Sequence, residues 1–102
     1  MAQTPEGRVK HKITNILKAV KGIYYFMPVP SGYGESSLDY LGSLNGKFFA
    51  IEAKKPGGKP TDRQEKIIAL IERSGGAVFV IDGDTTQLED WIRATTPNET
   101  IS

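Results

Sequence analysis

Asn45-Gly46 is the feature that most constrains this chain, because it is the strongest short-range signal for a two-residue β-hairpin. Extended, β-prone runs flank it over residues 38–44 and 47–54. A two-residue turn fixes the register. Leu44 pairs with Lys47, Ser43 with Phe48, Leu41 with Ala50 and Asp39 with Glu52. Directly opposed residues share a face, with Cβ atoms about 4.5–5.5 Å apart. Two carboxylates held so close destabilise the hairpin unless a cation sits between them, and a divalent metal is the natural occupant. Lys54 lies two strand positions beyond Glu52 and so faces the same way.

The order of elements follows from periodicity and punctuation. Thr4-Pro5-Glu6 has the form of a helix start, with Thr as N-cap and Pro in the first turn. Val9, Ile13, Ile16, Leu17 and Val20 make its apolar stripe, and Gly22 is the expected terminator. Residues 23–27 are a strand stopped by Pro28 and Pro30, and 31–37 form a Gly- and Ser-rich loop. After the hairpin, residues 55–60 are a second loop. Thr61-Asp62-Arg63-Gln64 is a capping box opening a helix to about Ser74. Residues 77–81 compose a buried strand, and 86–92 a short helix whose Trp91 packs back. The chain is expected to be one domain over residues 1–94, with a flexible tail over 95–102. The order α-β-β-β-α-β-α makes the last two strands parallel through a right-handed crossover, giving an α/β fold with a mixed sheet flanked by helices.

Charge and composition exclude more than they assign. The net charge of +1 announces no nucleic-acid partner. Its distribution says more. Arg8, Lys10, Lys12, Lys18 and Lys21 stand against Glu6 alone near the start. Lys54, Lys55, Lys59, Arg63 and Lys66 outnumber Asp62 and Glu65 in the middle, and acids dominate from Asp82 onward. Basic segments beside an acidic metal site suit a phosphate backbone, whereas by charge alone solvated helix faces and a loop are the favoured reading. The absence of cysteine fits a reducing cytoplasm, and no secretory signal or membrane-length apolar run is present. His11 is the single histidine, which excludes a histidine-rich metal site, and its place off the apolar stripe makes it a solvated surface residue. Pro60 breaks any phosphate-loop reading of Gly57-Gly58-Lys59-Pro60-Thr61.

Two further side chains bear on the carboxylate pair. Glu6 falls inside the arc of the first helix's apolar stripe, so it is expected to face the sheet rather than merely complement the helix dipole. Gln64 has the same geometry on the next helix, but its role in the capping box is the stronger reading of the residue by itself.

An aspartate followed by Glu-x-Lys on the partner strand is the core of the PD-(D/E)xK nucleases, in which acids hold Mg²⁺ or Mn²⁺ at the scissile phosphate and a lysine stabilises developing charge. With Glu6, Ser37-Leu38-Asp39, Glu52-Ala53-Lys54, Gly57-Gly58 and Thr61-x-x-Gln64, residues 4–82 resemble the VRR-NUC family, the virus-type replication-repair branch of that superfamily. The resemblance implies the restriction-endonuclease-like fold. It implies Asp39, Glu52 and the Ala53 carbonyl as metal ligands, with Glu6 near the metal directly or through water. Lys54 becomes the catalytic lysine, and Gln64 a site residue rather than only a cap. It implies an endonuclease acting on branched DNA such as four-way junctions, working as a homodimer in the cytoplasm of a bacterial or phage-infected cell. Arg8, Lys12, Lys55, Lys59 and Arg63 are then the expected DNA contacts. Leu38 departs from the proline usual in the family, without removing a chemical group. The alternatives are a non-catalytic nucleic-acid-binding domain on the same fold, a flap or nicking nuclease, and a small structural protein with incidental charges.

Overall fold

The computed structural model describes residues 3–29 and 37–96. Its elements are α1 (Pro5–Lys18), β1 (Ile23–Phe26), β2 (Tyr40–Leu44), β3 (Lys47–Ala53), α2 (Asp62–Arg73), β4 (Ala77–Ile81) and α3 (Thr86–Thr95). The four strands form one sheet in the order β1-β2-β3-β4. The first three are antiparallel and β4 runs parallel to β3. The expected α/β class and mixed sheet are therefore present.

The hairpin sets the register. Asn45 and Gly46 both have positive φ, at 50° and 78°, as a primed two-residue turn requires. Leu44 pairs with Lys47, and the ladder continues through Ser43 with Phe48 and Leu41 with Ala50 to Tyr40 with Ile51. Asp39 lies one residue outside β2, so the expected strands over 38–44 and 47–54 are shorter at their open ends.

Strand alternation then divides the sheet into two faces. Tyr40, Leu44, Phe49, Ile51, Ala53 and Ile81 point into the main core, where Val9, Ile13 and Leu17 of α1 and Leu88 and Ile92 of α3 cover them. Gly42 is needed beneath this layer. A Cβ there would meet the Tyr24 carbonyl at 2.2 Å and the Phe49 ring at 2.6 Å. Trp91 packs back as expected, its ring 5.6 Å from those of Phe49 and Phe79. The opposite face carries Phe48, Ala50 and Glu52, with α2 lying over its β4 side.

Several boundaries differ from the sequence expectation. α1 stops at Lys18 rather than near Gly22, because the Ala19 and Val20 N–H groups turn back to Ile16 and Leu17 in a tightened last turn. β1 ends at Phe26 rather than Met27. β4 is not fully buried: it is an edge strand, and Val80 is exposed. α3 runs three residues beyond Ile92, and Thr95 is only 7% exposed, so the expected flexible tail does not begin at 95. The Asn45 side-chain amide donates to the Thr95 carbonyl at 3.1 Å and ties this helix end to the hairpin tip. The expected 31–37 loop and the tail beyond Thr96 lie almost wholly outside the described residues. Among the described residues, no helix is long and apolar enough to cross a membrane.

Candidate active site

Where β2 begins and β3 ends, backbone pairing gives way to side chains. The Ala53 N–H donates to Asp39 Oδ2 at 2.9 Å. In return the Asp39 N–H reaches Glu52 Oε1 at 3.3 Å. The two acids are thus held against each other by reciprocal bonds to the opposite strand, at the positions the hairpin register assigns them. A strand residue directs its N–H and C=O toward the same neighbour, so the Ala53 carbonyl lies on the Asp39 side.

Glu52 is the centre of the arrangement and is only 4% exposed. Its Oε2 accepts the Gln64 amide at 2.8 Å, and the Lys54 ammonium lies 3.4 Å from the same oxygen. Lys54 is itself largely enclosed, its side chain 14% exposed. Burial pushes the Glu52 carboxyl above its ordinary range and the Asp39 charge adds to the rise. Lys54 and the Asp39 N–H oppose it without cancelling it.

Gln64 performs two roles at once. Its Oε1 accepts the Thr61 N–H at 2.9 Å, while Thr61 Oγ1 accepts the Gln64 N–H at 3.2 Å, completing the capping box. Its Nε2 remains free to hold Glu52. The amide supplies an acceptor at one end and donors at the other, so capping does not compete with the site.

α1 approaches from the Asp39 side. Glu6 Oε2 lies 3.6 Å from Lys10 Nζ, and the same ammonium lies 3.6 Å from Asp39 Oδ1. Glu6 thus joins the site through Lys10. Lys10 was not legible as a site residue, although its spacing of four from Glu6 places both on one side of the helix. Tyr40, entirely buried, anchors this helix turn. Its hydroxyl donates to the Lys10 carbonyl at 2.9 Å, and the Thr14 hydroxyl lies 2.8 Å away and donates in turn. Burial pushes the Tyr40 phenol up, which keeps it in its donating form.

The donor set fits a hard divalent cation. Asp39 and Glu52 supply carboxylate oxygens, and Ala53 presents a carbonyl on the same side. Among the described residues no group of three acids, histidines or cysteines converges. The protein itself would supply the two carboxylates and one carbonyl, a set of hard oxygen donors of the kind Mg²⁺ or Mn²⁺ takes.

The expected DNA contacts lie on α1, on the loop after β3 and in the first turn of α2. Arg8, Lys12, Lys55, Lys59 and Arg63 are all exposed. Lys12 donates to the Gly83 carbonyl at 2.9 Å, which ties α1 to the segment after β4. Lys55 and Lys59 ride the loop leaving β3, which Asp82 steadies by accepting the Gly57 N–H at 3.2 Å. His11 is exposed, as its position off the stripe implies. Compared with protein-family models, with curated proteins and with solved structures, the chain has no match.

Proposed function

We propose that this protein is a Mg²⁺- or Mn²⁺-dependent DNA endonuclease of the VRR-NUC type within the PD-(D/E)xK superfamily, hydrolysing phosphodiesters in branched DNA. The observation that carries the proposal is the convergence on Glu52 of Asp39, Lys54 and Gln64, three groups that flank the ends of two strands and open a helix. In this reading Asp39 and Glu52 hold the cation with the Ala53 carbonyl, and the cation supplies Lewis-acid stabilisation at the phosphate. Gln64 fixes the orientation of Glu52. Lys54 places a positive charge where negative charge develops as the phosphodiester breaks. Glu6 steadies the α1 side of the site. Arg8, Lys12, Lys55, Lys59 and Arg63 attract the backbone, and the enzyme works as a homodimer in a bacterial or phage-infected cytoplasm.

Calorimetry with Mn²⁺ on wild type, Asp39→Ala and Glu52→Ala tests the metal assignment, alongside nicking of linear, flap, splayed and four-way substrates. Both variants are expected to lose Mn²⁺ binding and cleavage. Lys54→Ala is expected to keep DNA affinity while its rate at saturating DNA falls about 10²–10³-fold, the scale of losing one charge-stabilising group. Unchanged Mn²⁺ affinity in both acid variants rules out the site. DNA binding without metal-dependent cleavage in wild type leaves a non-catalytic binding domain.

A further inference from the structure

We infer that Lys10 is a resident counter-ion of the Asp39 carboxylate, which a divalent cation must displace, so that Lys10 sets the cation concentration to which the site responds. The inference rests on the metal-site reading above and concerns its regulation.

Three observations carry it. First, the Lys10 ammonium is shared between Asp39 Oδ1 and Glu6 Oε2 at 3.6 Å each. Asp39 Oδ2 is already committed to the Ala53 N–H. Oδ1, the oxygen facing Lys10, has the ammonium as its partner, and an ammonium and a divalent cation cannot both sit against it without strong repulsion. Second, Lys10 is placed by the backbone and not by chance. The Tyr40 hydroxyl holds the Lys10 carbonyl at 2.9 Å, and Tyr40 directly follows Asp39 in the chain. The helix turn that carries the ammonium is thus pinned to the strand end that carries the acid. Third, the arrangement has somewhere to send the displaced charge. Glu6, one turn back on α1, already shares the ammonium and can retain it when Asp39 turns to the metal. Glu6 then acts as the holding partner of Lys10, which explains why a carboxylate lies on this side of α1 without converging on the other two.

The two ion pairs are partly solvated, so each holds the ammonium only weakly. Removing the ammonium should therefore tighten cation binding by about two- to fivefold. The test is Mn²⁺ calorimetry without DNA on wild type, Lys10→Met, Lys10→Gln and Lys10→Arg, with thermal melts to check that each is folded. Both neutral variants are expected to bind Mn²⁺ two- to fivefold more tightly, and Lys10→Arg to return to the wild-type value because it keeps the competing charge. A role confined to holding Asp39 in place predicts the reverse, weaker binding in the neutral variants. Equal or weaker affinity in Lys10→Met and Lys10→Gln, with wild type binding normally, overturns the role of Lys10 alone. Absence of Mn²⁺ binding in wild type overturns the metal-site reading and this inference with it.

Discussion

A single carboxylate carries most of the site's electrostatic tension. Burial and the neighbouring Asp39 both favour the protonated form of Glu52, so the folded chain holds this proton more tightly than the unfolded chain does. Stability from this group is therefore fully present below the ordinary glutamate value of 4.5 and is lost as pH rises through the raised folded value. Glu52→Gln cannot ionise and should not lose it. In chelator, urea unfolding is expected to show the variant more stable than wild type at pH 7 to 8 and the two converging near pH 4. Saturating Mn²⁺, at about 100 times its Kd, should add about 2.7 kcal/mol to wild type and nothing to the variant. A variant less stable than wild type at pH 8 would falsify the assignment of net strain to Glu52. At this scale the acid pair was legible because a two-residue turn leaves no freedom in register: once Asn45-Gly46 is recognised, Asp39 must meet Glu52. Lys10 was not legible. Its charge marks it only as basic, and its partner across the fold depends on how α1 seats on β2, which no local pattern encodes.

That seating is a property of elements. α1 contributes its stripe of Val9, Ile13 and Leu17 to the core, but burial alone lets a helix slide or roll over an apolar surface. The Tyr40–Lys10–Thr14 bonds fix the position along the axis. Tyr40→Phe keeps the packing and removes the hydroxyl, leaving Thr14 without its buried partner. The loss should be about 1–2 kcal/mol, the usual cost of deleting one member of a buried hydrogen-bonded set. Native-state amide exchange should show residues 10–14 opening sooner while α2 is unaffected. Equal acceleration in both helices would mean that Tyr40 supports the fold in general and not the placement of α1. Element types and order were legible throughout. The errors lie at ends and exposures, where tertiary partners decide. α1 unwinds before Gly22, α3 is prolonged by the tie from Asn45, and β4 reads as a core strand by composition but stands at the sheet edge with Val80 exposed. The Gln64 roles were set against each other in the sequence, whereas the two ends of one amide serve both.

On the scale of the whole molecule, the sheet face that carries Glu52 is only half covered. α2 lies over its β4 side. Tyr24 and Phe26 on β1 and Phe48 at the start of β3 are 65%, 46% and 44% exposed. The register places all three on this one face, since Tyr24 pairs with Ser43, Ser43 with Phe48, and Phe26 with Leu41. Tyr40 of the neighbouring strand, by contrast, points to the other face and is wholly buried. Exposed aromatics clustered on one face are the composition of an interface core rather than of a solvated surface. A two-fold pairing through this face joins two copies by one self-complementary patch, and symmetric incision of a four-way junction needs two sites directed at opposite strands. The proposed homodimer therefore has a specific surface to be tested on. Wild type is expected to scatter light as a dimer at micromolar concentration, and the double variant Tyr24→Ser with Phe26→Ser as a monomer that still binds Mn²⁺, because neither aromatic is a bonded partner of Asp39 or Glu52. On a junction, the variant should nick single strands while paired cuts are lost. A wild type that stays monomeric both alone and with junction DNA removes paired incision. A nicking or flap-cutting enzyme is then the better account of the same proposed site.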